Sequence, residues 1–261
     1  MAEKKIALAV GAHPDDVEFM MAGTLSLLAK AGYEPHIMTV ANGSCGTAEY
    51  DIKQAAVVRR REARRAAKVM GATYHPGLVD DLMVYYTDRL VRRAAAVVRE
   101  IRPGIVLLPS LEDYMEDHMN SARVMVTACF CRGMPNFKTI PARKPFMDDI
   151  ALYHAQPYQN MDMMRRLIRP EIFVDVASEI EVKDDMLRCH ESQKKWLDVS
   201  QGQDSYLQTM RDVCAEIARL GGRRRQVRYA EGFRRHNHIG FAAQDRDVLS
   251  EALGNKAYRG K

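Results

Sequence analysis

Residues 6–10 read Ile-Ala-Leu-Ala-Val, an unbroken apolar run too short for a helix and closed by Gly11. Such a run predicts a strand buried on both faces, as in a parallel sheet. Residues 105–108, Ile-Val-Leu-Leu, repeat the pattern behind Pro103-Gly104. Less uniform apolar stretches predict strands over 35–41 and 73–78. Between these strands the apolar positions recur at three- and four-residue spacing, predicting helices over 18–31, 52–70, 87–101 and 118–132. Gly71 is placed to end the second of these as the residue after the cap. Strand–helix alternation of this kind predicts an α/β fold, a Rossmann-like, doubly wound and mostly parallel sheet. Past Pro135 the pattern loosens into strands over 150–154 and 172–176 and helices over 182–196 and 206–220. A basic tail with His236 and His238 follows. The expectation is one domain over 1–261, with a core over 1–135 and a C-terminal elaboration over 136–261.

Composition changes this picture little. The chain has 261 residues, 47% hydrophobic and 28% charged, which suits one core without requiring a second. Its net charge of +5 is dispersed. The densest basic run, Arg59, Arg60, Arg61, Arg64 and Arg65, falls on the 52–70 helix; Arg223, Arg224 and Arg225 form a smaller cluster. Neither a groove-reading motif nor aromatic residues accompany them, so no nucleic-acid partner is expected. The five cysteines are odd in number and lack disulfide-framework spacing, which predicts reduced thiols in a cytoplasmic protein. The apolar run near the start is too short for a signal peptide or a membrane span, so no membrane partner is expected.

Candidate chemistry collects where two predicted strands end, the place where open parallel sheets bind ligands. The first strand runs into Gly11-Ala-His13-Pro14-Asp15-Asp16-Val-Glu18. This is not a G-x-G-x-x-G loop, and a dinucleotide site is disfavoured. His13 and Asp16 can converge on one cation while Asp15 stays free; helix capping is the competing job for either aspartate. The strand at 105–108 runs into Glu112-Asp113-Tyr114-Met115-Glu116-Asp117-His118. By itself this reads as a solvated acidic loop capped by Asp117. Joined to the first loop, His118 completes a His/Asp/His set suited to a catalytic zinc, or to Fe(II) by ligand type. On the 52–70 helix, surface ion pairs account for most of the arginines. Arg59, near Glu62, is the one placed to reach into a cleft and hold a hydroxyl.

Ala12-His13-Pro14-Asp15-Asp16-Val17-Glu18 resembles the A/P-H-P-D-D-x-E signature of the PIG-L (LmbE-like) N-deacetylase family. Further segments follow in family order: Arg59-x-x-Glu62-Ala63, Asp113 to His118 (family D-Y-H-P-D-H), His190-Glu-Ser-Gln193, and Tyr229-Ala-Glu231-Gly-Phe233. The resemblance implies an LmbE-like fold and a zinc-dependent hydrolase that removes acetyl from an N-acetylglucosamine-type sugar or conjugate. In its terms His13, Asp16 and His118 bind Zn2+, Asp15 is the general base and Arg59 contacts the sugar. It also implies a homo-oligomer, a trimer or hexamer. One position departs from the pattern. Met115 stands where the family has a histidine thought to assist as electrophile or acid, and a thioether cannot donate a proton. His236, His238, Glu116 and Asp117 are the candidate substitutes. The alternative reading is a catalytically weak metal- and sugar-binding relative, or a deacetylase of another N-acetylated substrate.

Overall fold

The computed structural model describes residues 5–201, 206–222 and 226–260; the basic cluster Arg223 to Arg225 lies outside the described residues. In chain order the elements are β1 (Ile6–Gly11), α1 (Asp16–Met20), α2 (Ala22–Lys30), β2 (Glu34–Thr39), α3 (Ile52–Val69), β3 (Thr73–His75), α4 (Asp88–Ile101), β4 (Ile105–Leu108) and α5 (Glu116–Phe130). There follow β5 (Ala151–Ala155), β6 (Ile172–Asp175), α6 (Ile180–Leu187), α7 (Glu191–Gln201), α8 (Tyr206–Leu220), β7 (Ala230–Arg235), α9 (Val248–Leu253) and β8 (Ala257–Arg259). All strands join one sheet in the order β3-β2-β1-β4-β5-β7-β6-β8. From β3 to β5 the pairing is parallel. From β5 onward it is antiparallel. The expected α/β architecture with a mostly parallel core is therefore present, extended by an antiparallel edge.

The sheet is covered on both faces, which is why β1 and β4 are apolar throughout. Ala7 and Ala9 pack with residues of α2, α6 and α8, while Leu8 and Val10 pack with α4 and α5. From β1 the chain runs to β2 and β3 on one side and then crosses to β4 on the other. Such a reversal opens a crevice at the carboxyl ends of the strands. The loops after β1 and β4 both enter it.

Two predicted helices are each broken. The 18–31 helix is α1 plus α2, interrupted at Met21 (φ −139). The break exposes the α2 N-terminus, where the Glu231 carboxylate accepts from the Gly23 and Thr24 amides at 2.9 and 2.7 Å. An anion at a helix start satisfies orphan donors and the helix dipole. A side chain at Gly23 would collide with Val176 Cβ at 2.7 Å, so the close approach requires glycine. The 182–196 helix is α6 plus α7, separated near His190. Strands β7 and β8 are additions to the sequence reading, and β7 contains the Ala230-Glu231-Gly232-Phe233 segment.

Candidate metal centre and active site

Gly11 ends β1, and the loop after it turns so tightly that a Cβ at Gly11 would lie 2.9 Å from the Asp16 Cβ and 3.1 Å from the His13 carbonyl oxygen. Asp15 then takes a left-handed conformation, φ 109. Such backbone costs of order 1–3 kcal/mol for a non-glycine residue and recurs at functional sites. It sends Asp15 and its neighbour Asp16 in different directions. Asp16 Oδ2 accepts from the His13 amide at 2.8 Å. The loop after β4 delivers His118 on the first turn of α5, whose N-cap is Met115.

His13, Asp16 and His118 are brought together, with one donor atom from each inside a mutual distance of 4.8 Å. His13 Nδ1 lies 3.7 Å from Asp16 Oδ2, and His118 Nε2 lies 3.6 Å from Asp16 Oδ1. These separations are too long for hydrogen bonds and suit ligands that share a small cation about 2 Å from each. The other nitrogen of each ring is fixed by a carboxylate. His13 Nε2 meets Asp117 Oδ2 at 3.0 Å and Asp81 Oδ1 at 2.9 Å; His118 Nδ1 meets Asp113 Oδ1 at 3.0 Å. Carboxylate–histidine pairs of this kind orient metal-ligating imidazoles. His13, Asp81 and Asp117 also form a compact donor group. Its atoms are already in hydrogen-bond contact, and its carboxylates accept from the Leu82 and Cys45 amides. The Asp16 group, with its gap, is the better fit for an ion.

Burial lowers the basicity of His13, but Asp117, Asp81 and Asp16 outweigh it and push its pKa up to about 10. For His118 burial acts the same way, and Asp16 and Asp113 raise its pKa. An ion entering here displaces tightly held protons.

Asp15 stands outside the ligand group and is buried. The Tyr206 hydroxyl donates to its Oδ2, and Arg59 Nη2 lies 3.5 Å from its Oδ1. Burial raises the Asp15 pKa, and the Arg59 charge opposes that rise. On α3, Ala55, Arg59, Glu62, Ala63, Ala66 and Ala67 form the buried face, while Arg60, Arg61, Arg64 and Arg65 are exposed. Arg59 is only 2% exposed; its guanidinium donates to the Pro14 carbonyl at 2.7 Å and to Gln193 Oε1. It lines the cavity, but these bonds occupy its reach toward the Asp15 loop.

The cavity at this site has a volume of about 300 Å³. Met115 lines it; the Glu116, His236 and His238 side chains do not. His236 and His238 line a separate cavity of about 630 Å³ beside the first residues of β1, β4 and β5. That is the opposite end of the sheet, because β7 runs antiparallel to β5 and carries its exit away from the site. Neither histidine is therefore placed to replace the family's histidine. Asp117 is spent on His13 and the Leu82 amide.

Sequence reasoning missed Asp81 and Tyr206, which no motif marks. Gln193 had a signal in the H-x-S-Q segment. The spaced motifs are contacts in space: His190 Nε2 meets Glu18 Oε1 at 3.0 Å, the Ser192 hydroxyl donates to Glu62 Oε2 at 2.6 Å, and Gln193 accepts from Arg59.

An open, mostly parallel α/β sheet whose crevice gathers two histidines and an aspartate around a metal-sized gap, beside a buried carboxylate outside that group, defines a candidate metal centre. The comparisons carry this further. Residues 8–129 match the sequence model of PIG-L, GlcNAc-PI de-N-acetylase. Diacetylchitobiose deacetylase from Thermococcus kodakarensis is 29% identical over 240 residues, 88% of this chain and 82% of that protein. The 4-oxalmesaconate hydratase of Pseudomonas putida is 27% identical over 202 residues, 73% of this chain and 75% of that protein. The N,N'-diacetylchitobiose deacetylase structure from Pyrococcus horikoshii has the same fold, with TM-score 0.73 and 20% identity, covering 95% of this chain and 89% of that one. No helix among the described residues is long and apolar enough to cross a membrane.

Proposed function

We propose that the protein is a zinc-dependent hydrolase that removes the acetyl group from N-acetylglucosamine-type sugars or their conjugates. The observation that carries the reading is the gap between His13 Nδ1, Asp16 and His118 Nε2, with Asp15 beside it and free of ligand duty. Two imidazoles and a carboxylate suit zinc with open positions. A zinc ion held there supplies Lewis acidity, acidifying a water and polarising the amide carbonyl.

The chain's own groups do the rest. Asp15 takes the proton of the attacking water, as a carboxylate next to the ligand set is placed to do. Its burial raises its affinity for that proton. Tyr206 and Arg59 hold its two oxygens. With a thioether at Met115, the protonated Asp15 is the acid that returns the proton to the departing amine. The C–N bond breaks, acetate leaves and the sugar keeps a free amine. Arg59 remains the candidate for a sugar hydroxyl at the cavity wall.

The hydratase relative gives one rival, addition of water to a carbon–carbon double bond by the same activated water. A panel assay separates the two. Zinc-loaded protein is incubated with N-acetylglucosamine, diacetylchitobiose and an unsaturated dicarboxylic acid, and free amine and loss of conjugated absorbance are followed. Amine release from the sugars supports deacetylation. Hydration alone overturns it, and tight sugar binding without turnover favours a binding protein.

A further inference from the structure

The break between α1 and α2 leaves one backbone pair without its helical partner. In an unbroken helix the Gly23 amide would donate to the Phe19 carbonyl, four residues back. Here both groups turn to side chains. The Gly23 amide donates to Glu231 Oε1 at 2.9 Å, and the Phe19 carbonyl accepts from Lys183 Nζ at 2.9 Å. Lys183 Nζ also donates to Glu231 Oε1. The ion pair thus spans the gap: amide to carboxylate, ammonium to carboxylate, ammonium to carbonyl. Its charges match the helix ends, with the anion at the start of α2 and the cation at the end of α1.

Both partners come from late in the chain. Lys183 lies on α6 and Glu231 on β7, and both are fully buried. Burial disfavours the Lys183 ammonium, but neighbours including Cys214 and Glu231 outweigh it and raise its pKa. Apolar side chains of similar size often match or exceed the stability of such a buried pair, so stability alone does not account for it. What it holds does. Helix α1 has five residues and begins at Asp16. The Phe19 amide donates to the Asp15 carbonyl at 3.0 Å, so the residue tied to Lys183 is one hydrogen bond from Asp15. On the same short helix, Glu18 is held by His190 Nε2 at 3.0 Å.

We propose that the Lys183–Glu231 pair is a positioning device that fixes the angle at which α1 presents Asp15 and Asp16 to the crevice. The proposal rests on the reading of His13, Asp16 and His118 as a metal centre with Asp15 beside it. Without the pair, the Gly23 amide and the Phe19 carbonyl are free to bond each other directly. That bond straightens the junction and swings α1, drawing Asp16 away from His13 and His118. A misplacement of about 1 Å at a reacting group can cost about 10² in rate.

The test uses the full chain, stripped of metal and titrated with zinc against a chromophoric chelator. Lys183→Met/Glu231→Gln removes both charges with little change of shape. It should bind zinc at least about tenfold more weakly than the wild type, the loss typical when groups that orient metal ligands are removed. At saturating zinc, kcat on diacetylchitobiose should fall while KM changes little. Arg99→Met is the control. Arg99 is also buried, but it sits in the last turn of α4, before β4 begins, and donates to the Cys131 and Met134 carbonyls at 2.8 Å. It should lower Tm and leave zinc affinity unchanged. A folded double variant with wild-type zinc affinity overturns the proposal. So does an equal loss of zinc affinity in Arg99→Met, which would mark general loosening of the fold. Where the double variant does not fold, Glu231→Gln alone carries the same expectations. Absence of amine release by zinc-loaded wild type overturns the deacetylase reading only, because the zinc titration still decides the positioning role.

Discussion

Under the proposed mechanism, replacing Asp15 with asparagine separates the proton-transfer step from metal binding. The backbone tolerates the change: φ is 109 at this position, and asparagine is among the residues that enter positive φ most readily. Tyr206 can still donate to the remaining carbonyl oxygen. The change removes a negative charge 3.5 Å from Arg59. At an effective dielectric of 20 that attraction is about 5 kcal/mol gross. Much of it is offset, because a buried carboxylate beside Asp16 is no longer required and Arg59 keeps Pro14 and Gln193 as acceptors. The fold should survive with a modest shift in Tm. Catalysis should not, since losing a general base costs about 10²–10⁴ in rate. The assay is acetate release at saturating substrate, alongside zinc content by elemental analysis. Asp15→Asn should hold one zinc per chain and lose at least about 100-fold in kcat. Asp16→Ala should lose the zinc itself. An Asp15→Asn protein that arrives empty of metal, or that keeps its full rate, refutes the division of labour between the two aspartates.

Tyr206→Phe removes the hydroxyl that donates to Asp15; a hydrogen bond to a charged group contributes about 1.5–3 kcal/mol, so kcat should fall about 10–100-fold with zinc content unchanged. Gln193→Ala should lower kcat/KM about tenfold by freeing Arg59, and Gln193→Glu, which keeps an acceptor, should recover most of it; equal damage from both contradicts a positioning role. For His154, burial lowers the pKa to about 4, partly opposed by the Pro109 carbonyl that its Nδ1 faces. Its folded pKa is below the unfolded value of about 6.5, so the unfolded chain binds the extra proton; the stability is complete above pH 6.5 and is lost as pH falls toward 4, by about 3 kcal/mol at most. Urea midpoints from pH 7.5 to 4.5 should fall more steeply for the wild type than for His154→Gln, and parallel slopes contradict the assignment.

Continuous apolar runs made β1 and β4 legible, because strands buried on both faces need no alternation. Helix α3 was legible to its end, where Gly71 takes φ 73. What escaped depends on partners distant in sequence. The break at Met21 serves Glu231, which approaches from β7 and is itself buried against Lys183. Strand β7 carries a buried glutamate and two arginines, which hide its strand character. His13, Asp16 and His118 could be read from loops at strand ends, as could Arg59 as the buried arginine of α3. Asp81 and Tyr206 could not, since no local pattern shows that a residue from the loop after β3 will meet His13, or that the first residue of α8 will meet Asp15.

The proposed mechanism requires an ion held by His13, Asp16 and His118 for amide hydrolysis. It is tested most directly by following acetate release from diacetylchitobiose with protein stripped by a chelator, verified metal-free, and then titrated with zinc. The stripped protein should show no turnover, and recovery should reach its plateau at one zinc per chain. Full turnover by protein shown to be free of metal contradicts it.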